Sequence, residues 1–360
     1  MIIDTLELSN FRNYHKLKIN FSPNINIIYG KNGSGKTNIV EAIYVLGLTK
    51  SFRNVNEKNL ILSGKELARI KGIVKNSGKN HYEVDISKEG KKVLINNNAV
   101  NLLSNYISQI PIVIFSPDDL KLLKDTPLVR RKYLNIELSF YNNSYLKNIA
   151  LYNKLLKQRN AYLKQSFINS NNSSDFLNII TEKLYDYGIE IYKDRKSFLE
   201  YVNDNINNYY HKISKTGTLS VKYISNFKED KLEMLNNYTN YYKKELSFGK
   251  TLLGIHLDDI EFYLDNNKVK EWASEGQLKN IVVSLKLVEL QLLKEKNGYY
   301  PILILDDLFS ELDKDKINNI INLLPMDNQI FITTTELSKV KKSIKDNSKK
   351  FKVINGIVEE

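Results

Sequence analysis

The sequence of 360 residues contains no cysteine at all. This absence excludes a disulfide framework and a cysteine-based zinc site, and a reducing cytoplasm is the simplest setting for such a chain. No stretch approaches the roughly 18 uninterrupted apolar residues that a membrane span needs. The first residues, Met1 to Thr5, lack the basic start and apolar run of a secretory signal. We therefore expect a soluble, cytoplasmic protein that has no membrane partner.

Acidic residues are in short supply relative to basic ones. The chain has 53 lysines and arginines against 41 aspartates and glutamates, which gives a net charge of +12. Such an excess favours a polyanionic partner such as DNA. However, the sequence is also rich in Asn, Lys, Ile and Tyr, as AT-rich coding would produce, and scattered lysines mostly serve solvation. The charge supports a nucleic-acid partner without establishing one.

One short segment has the pattern of a phosphate-binding loop: Gly30-Lys31-Asn32-Gly33-Ser34-Gly35-Lys36-Thr37. It follows an apolar run, Ile25 to Tyr29, that is typical of a buried strand, and we expect a helix from Thr37 to about Leu46. Glycines allow backbone N–H groups to point at phosphate oxygens, and the helix adds its positive end. Lys36 would place its charge against the β- and γ-phosphates, while Thr37 would offer a hydroxyl to Mg²⁺. The sequence therefore predicts an ATP site.

A second apolar run, Ile302 to Leu305, ends in the carboxylates Asp306 and Asp307. Asp306 stands where a magnesium-coordinating carboxylate belongs, and Asp307 is placed to orient or deprotonate the attacking water. Paired acids after a strand can also be helix caps, but the phosphate loop favours the catalytic role. Because an aspartate reaches less far than a glutamate, we expect slow hydrolysis. About 270 residues separate Lys36 from Asp306, so a large segment is inserted between the two halves of the site.

A third element lies between them. Ser274, Glu275, Gly276 and Gln277 precede an apolar run at helical spacing, which points a hydroxyl and a helix N-terminus at an anion. A simple helix cap would have the same pattern. Together with the phosphate loop and Asp306, it completes the set expected of an ABC-type ATPase head, in which this signature contacts the γ-phosphate of ATP held by the partner subunit.

Hydrophobic periodicity predicts an α/β fold with a mixed sheet. The predicted strands are two near the N-terminus, antiparallel strands over residues 68–100, and further strands over 110–115, 330–333 and 351–358. Apolar residues recur at helical spacing over 146–156 and 177–202, with a polar loop from Ser166 to Asp175 between them. We therefore expect a discontinuous head, residues 1–127 plus 248–360, that carries an inserted helical arm over residues 128–247.

Short motifs along essentially the whole chain resemble the bacterial RecF family, DNA-repair relatives of the SMC proteins. They are Asn10-Phe11-Arg12-Asn13-Tyr14, Lys36-Thr37-Asn38, Glu41-Ala42-Ile43, Ser51-Phe52-Arg53, Phe115-Ser116-Pro117-Asp118-Asp119-Leu120, Arg130-Arg131-Lys132-Tyr133-Leu134, Thr251-Leu252-Leu253-Gly254 with His256 and Asp258-Asp259, and Leu305 to Asp313.

The resemblance implies roles for individual positions. Arg12 and Asn13 would approach the nucleotide from the N-terminal strand, and Asn38 would belong to the same site. Arg53 is similar to an arginine that SMC-like heads use near phosphate or DNA. The segment from Glu311 to Asp313 matches a loop that crosses the dimer interface. Thr334 or Thr335 would replace the switch histidine of transporter ATPases.

The resemblance also implies a function. Two heads would sandwich two ATP molecules, and the ATP-dependent homodimer would bind double-stranded DNA, gapped DNA and single-stranded junctions in the nucleoid. Weak, DNA-stimulated ATP hydrolysis would release it. The family's partners are RecR and RecO, and its purpose is to help load the RecA recombinase on gapped DNA.

Some positions depart from the family pattern. Ile255 and Leu257 replace Pro and Arg, Glu275 replaces Gln, Leu278-Lys279 replaces Gln-Arg, and Asn135 replaces Asp. Glu275 brings negative charge near a triphosphate, so an ATP-binding scaffold without hydrolysis stays open as an alternative, as does another SMC-like ATPase.

Other classes of ATPase fit less well. A transporter subunit has a shorter interval between loop and signature, and a structural SMC protein or an SMC-like nuclease subunit needs longer heptad arrays. A phosphate-loop kinase would lack the signature, and we expect no room for the nuclease domain of an ATPase–nuclease fusion.

Overall fold

The computed structural model describes residues 1–53, 55–168, 174–307, 322–324 and 327–360. These residues form two compact units. The first comprises residues 1–120, 209–215 and 279–360, and the second comprises residues 121–208 and 216–278. The bounds of these units differ from those of the predicted head and arm, and the division of the chain into a head and an arm stays a prediction. None of the helices in the described part of the chain is both long and apolar enough to cross a bilayer.

The first unit contains an antiparallel sheet with the strand order β2-β1-β4-β5-β6-β7. Its strands are β1 (Ile2–Phe11), β2 (Tyr14–Asn20), β4 (Leu67–Lys75), β5 (Lys79–Ser87), β6 (Lys91–Ile95) and β7 (Asn98–Ala99). Buried and exposed residues alternate along β4 and β5, because successive side chains point to opposite faces. These strands cover the region in which alternation predicted antiparallel pairing.

A second sheet in the same unit has the order β15-β14-β3-β13-β12-β8, and all its pairs except β14–β15 are parallel. Its strands are β3 (Ile25–Tyr29), β8 (Ile112–Phe115), β12 (Ile302–Leu305), β13 (Ile330–Thr334), β14 (Ser348–Ile354) and β15 (Ile357–Glu359). Strands β3, β13, β12 and β8 are almost wholly buried, which explains their mostly apolar sequences. Parallel register brings the carboxyl ends of β3, β12 and β13 to one edge, where ligands bind in open α/β sheets.

Among the described residues, three α-helices lie wholly in the first unit: α1 (Lys36–Leu48), α2 (Leu103–Ile107) and α10 (Lys342–Asp346). Helix α1 contacts strands of both sheets and is buried around most of its circumference. A helix covered on two sides must be apolar on two sides, so Val40, Ala42 and Val45 are fully buried although they do not share one face.

The second unit is mainly helical. Its helices are α3 (Lys121–Lys124), α4 (Pro127–Tyr141), α5 (Tyr145–Ile168), α6 (Ser174–Ser214), α7 (Lys231–Phe248) and α8 (Val269–Trp272). Helix α6 continues into the first unit, as does α9 (Glu275–Asn297).

Two details of this unit differ from the sequence-based expectations. Helix α5 extends to Ile168 and α6 begins at Ser174, so the predicted loop from Ser166 to Asp175 is helical at both ends, and residues 169–173 lie outside the described part. In addition, the predicted helical arm contains a strand, β9 (Leu219–Ile224). It pairs with β10 (Asp259–Leu264), which pairs with β11 (Asn267–Lys268). The strand was missed because its alternation is short and its partner lies about 40 residues away.

Candidate nucleotide site

The phosphate loop connects the end of β3 to the start of α1. Gly35, the residue before the helix, has a left-handed backbone (φ 114°), and no side chain caps the helix. A Cβ on Gly35 would lie 2.7 Å from the Tyr14 hydroxyl, which donates to the Gly35 carbonyl at 3.1 Å. A glycine is therefore required at this close approach. The first N–H groups of an α-helix have no intrahelical acceptor, so this N-terminus offers donors to an anion.

Lys36 extends back over the loop. Its Nζ donates to the carbonyl oxygens of Gly30 at 2.8 Å and Lys31 at 3.0 Å. Burial lowers the pKa of Lys36, and the charges of Asp307 and Asp306 oppose this effect. The ammonium is thus held at the helix N-terminus by neutral acceptors, an arrangement that suits a bound phosphate.

Asp306 is buried at the carboxyl end of β12 and accepts a hydrogen bond from the Thr333 hydroxyl at 2.7 Å. Burial raises the pKa of Asp306, while hydrogen bonds from Thr333 and Thr37 act in the opposite direction. The Thr333 hydroxyl also accepts from the Asp307 backbone N–H at 2.9 Å. Thr37 and Asp306 therefore meet as a hydroxyl and a carboxylate, hard oxygen donors of the kind that Mg²⁺ prefers.

A cavity of about 310 Å³ lies over the loop. It is lined by Asn32, Gly33, Gly35, Lys36, Thr37, Asn38, Arg53, Asp307 and Thr333. The fold thus brings together the two halves predicted from distant parts of the sequence, and it adds Arg53. Lys31 is exposed beside the loop, whereas the Ser34 hydroxyl is buried without a hydrogen-bond partner among the described residues.

The N-terminal strand residues are engaged with neighbours of the loop. Arg12 donates two hydrogen bonds to the buried Glu41, at 2.8 and 2.7 Å. Asn13 accepts from the Asn38 amide at 2.8 Å, and Arg53 donates to Asn38 at 3.2 Å. Arg12 is therefore a partner of Glu41 here, while Asn13 and Arg53 hold Asn38 beside the cavity.

Two residues beside the cavity were given no individual role in the sequence analysis. Thr333 contacts both aspartates, whereas the predicted Thr334 donates its hydroxyl proton to the Glu336 carbonyl at 3.2 Å. Glu41 accepts hydrogen bonds from Arg12 and from the Ser51 hydroxyl. Its signals in the sequence were its place in a family motif and a carboxylate within an apolar stretch of α1. The predicted Asp313, with Glu311 and Leu312, lies outside the described residues.

The signature residues lie in the second unit and form a reciprocal capping box. The Ser274 backbone N–H donates to Gln277 Oε1 at 2.8 Å, and the Gln277 N–H donates to Ser274 Oγ at 3.3 Å. Glu275 and Gly276 occupy the first turn of α9. The side chains of Ser274 and Gln277 both act as acceptors in the capping box, so the Ser274 O–H and the Gln277 side-chain N–H groups can donate to an anion.

Comparison with known proteins places these features in a family. The family model described as "RecF/RecN/SMC N terminal domain" matches residues 2–359. "DNA replication and repair protein RecF" of Latilactobacillus sakei is 37% identical, covering 100% of this chain and 99% of that protein. The protein of the same name from Oenococcus oeni is 36% identical, covering 99% of each.

Solved structures agree with this placement. The recombination mediator protein RecF with ATP, described as part of the RecFOR pathway, superposes with a TM-score of 0.92 at 30% identity, covering 99% of this chain and 97% of that one. The Smc head domain of Pyrococcus furiosus superposes with a TM-score of 0.53 at 15% identity, covering 99% and 95%, and shows likeness of fold alone.

Proposed function

The chain belongs to the RecF family of DNA replication and repair proteins, with an SMC-like ATPase fold, and we propose that it is an ATP-gated DNA-binding protein of recombinational gap repair. The observation that carries this proposal is the meeting of Lys36, Thr37 and Asp306 at the uncapped N-terminus of α1. A triphosphate is the ligand whose charge, size and oxygen geometry fit these groups.

Each group has a defined task in this proposal. The loop N–H groups and Lys36 bind the β- and γ-phosphates, and Thr37 and Asp306 would hold Mg²⁺, which when bound offsets phosphate charge. Asp307 orients the attacking water and accepts its proton. Thr333 orients Asp306 and fixes the backbone of Asp307. Because the side chain of Asp307 is one methylene shorter than glutamate, hydrolysis is slow and acts as a timer.

The site is completed by a second copy of the chain. Ser274, Gly276 and Gln277 of one copy would close over the ATP held by the phosphate loop of the other, so ATP makes the homodimer. The dimer binds double-stranded or gapped DNA through phosphate contacts, and hydrolysis releases it. RecO and RecR act with it to help load RecA, in line with the RecFOR pathway to which the solved relatives are assigned.

Sedimentation of the full chain with and without ATP and gapped DNA tests this proposal. Wild type should become dimeric with ATP, and Lys36→Ala should stay monomeric because the phosphates lose their fixed charge. Lys65→Ala, an exposed lysine on the same unit, is the matched control and should dimerise normally. Undiminished dimer formation by Lys36→Ala would refute the sandwich.

A second variant separates slow hydrolysis from none. Asp307→Asn should prolong the lifetime of the ATP-bound dimer on DNA, since the water loses its proton acceptor. If wild type and Asp307→Asn release DNA equally slowly while both bind ATP, the chain is the hydrolysis-deficient scaffold.

A further inference from the structure

Positive charge is concentrated near the C-terminus. The segment from Glu336 to Ile354 contains seven lysines and two acidic residues, a net +5 out of the chain's +12. Coding bias alone would spread lysine along the chain in company with acidic residues, as the totals of 53 basic and 41 acidic residues indicate. The segment is therefore a local concentration of charge and calls for a partner of opposite sign.

The fold places these lysines on the surface of two adjoining elements. In β14, Lys350 and Lys352 are exposed while Phe351 and Val353 are buried, because the strand alternates. In α10, Ile344 is the buried residue and Lys342 is exposed. The members that concern us are Lys341, Lys342, Lys345, Lys350 and Lys352, called here the C-terminal lysine patch.

The ammonium groups of the C-terminal lysine patch are not paired with carboxylates in the described part of the chain. None of its five ammonium groups forms an ion pair or a side-chain hydrogen bond with a residue in the described ranges of the chain. Two lysines of the same segment do have partners: Lys349 pairs with Glu360 at 2.8 Å, and Lys339 donates to the Thr335 hydroxyl at 2.9 Å. The patch thus holds several solvated cations on adjoining elements. Their mutual repulsion is unfavourable, and binding of a polyanion would reduce it.

The patch is joined directly to the phosphate loop. Strand β14 pairs with β3, with Lys352 opposite Tyr29, the residue before the loop. Just beyond β14, the Gly356 N–H donates to the Ser34 carbonyl at 3.0 Å, and a Cβ on Gly30 would lie 2.2 Å from the Val353 carbonyl oxygen. An anion bound on the exposed side of β14 would therefore contact a strand that packs directly against the phosphate loop.

We propose that the C-terminal lysine patch binds the sugar–phosphate backbone of duplex DNA without reading its sequence. The inference rests on the proposed DNA-binding function and adds where the DNA sits on the first unit. Lysine ammonium groups are compact, hydrated point charges that suit phosphate oxygens spaced along a helix. Because β14 contacts the phosphate loop, it physically links the proposed DNA-binding surface to the ATP site.

The test is the salt dependence of DNA affinity, measured by fluorescence anisotropy of a labelled duplex with ATP present. The full-length variant K342Q/K345Q/K350Q should bind more than tenfold more weakly at low salt. Its plot of log affinity against log salt should be less steep by about 2.7, because each lost phosphate contact removes about 0.9. Equilibrium dialysis should find ATP affinity unchanged, which shows that the loop is intact.

The matched control is K147Q/K154Q/K164Q, which removes the same charge from exposed lysines of α5 in the second unit. It should retain the wild-type slope. A wild-type slope for the patch variant, or a loss confined to the α5 variant, would overturn the patch and leave the proposed function standing. Binding of the patch to phosphatidylserine vesicles with DNA affinity unaltered would also overturn it. Wild type that binds no DNA at all would refute the proposed function itself.

Discussion

The buried charges of the second unit and those of the nucleotide site are paired to different degrees. In the second unit, Arg195 donates to Asp258 at 2.6 Å and Arg159 donates to Glu245 at 2.7 Å, and all four side chains are buried. Each guanidinium nitrogen of Arg195 has a protein acceptor, since Nε also donates to Tyr145, Nη1 to the Ile255 carbonyl and Nη2 to Asn135. In the nucleotide site, Lys36 donates only to carbonyl oxygens and forms no ion pair with any described residue.

The difference separates two uses of buried charge. A saturated network such as that of Arg195, in which every guanidinium nitrogen donates to the protein, is not arranged to receive a ligand, so its contribution is to position the chain around Asp258. The nucleotide site holds a cation, helix N–H groups and a carboxylate close together, and the cation is not paired with a carboxylate of the described residues. Such a site gains most when a charged ligand arrives. Substitutions in the two regions should therefore change the free energy of unfolding to different extents.

Removing Arg195 should cost the most. Arg195→Ala leaves the buried Asp258 without its cation, and we expect the free energy of unfolding to fall by about 3–5 kcal/mol. Urea denaturation measures this change. Lys196→Ala is the matched control, since the neighbouring lysine pairs with Glu229 at the surface, and it should show no measurable loss. Equal losses for the two variants would contradict the distinction between saturated and exposed pairs.

His256 should make stability depend on pH. Burial lowers its pKa to about 4, with the charges of Arg131, Arg159 and Arg195 acting in the same direction. In the unfolded state the pKa of His256 is near its ordinary value of about 6.5, so at a pH between the two values the unfolded state binds a proton that the folded state does not. Stability should be lost as pH falls from about 6.5 to about 4, by on the order of 3 kcal/mol. Urea denaturation across this pH range should find that the free energy of unfolding of His256→Gln lacks the pH-dependent loss. A pH profile identical to that of wild type would contradict the assignment to His256.

Thr333 should affect turnover more than stability. Thr333→Val removes the hydroxyl shared by Asp306 and the Asp307 N–H, at a cost of about 1 kcal/mol in the free energy of unfolding. ATP turnover should fall roughly 10–100-fold, because the carboxylate loses its orienting partner, while ATP affinity is retained. Thr334→Val is the control, since its hydroxyl serves only the Glu336 carbonyl. Equal turnover in both variants would show that Thr333 is merely structural.

Local features followed directly from the sequence. Helix α1 was expected from Thr37 to about Leu46 and spans Lys36 to Leu48, and strand β12 has the bounds of its apolar run. The alternating strands of the antiparallel sheet were likewise visible from their period. In each case the signal and the structure involve the same few consecutive residues, so backbone preference and burial act together.

Features that depend on pairing between distant segments were not predictable. Thr333 is selected over Thr334 by the parallel register of β12 and β13, which aligns Leu305 with Ile332. Arg12 meets Glu41 only because β1 and α1 pack together. Strand β9 forms by pairing with β10, against the helical character of the flanking segments.

The sequence alone therefore determined that the chain has a phosphate loop, a carboxylate-ended strand and the motifs of its family, because these are runs of adjacent residues whose chemistry needs no partner. Only the tertiary structure decided which side chains surround them, among them Thr333, Glu41 and the C-terminal lysine patch beside the loop. The physical reason is that hydrogen-bond register and burial arise from contacts between segments far apart in the chain, and a single sequence does not specify those contacts residue by residue.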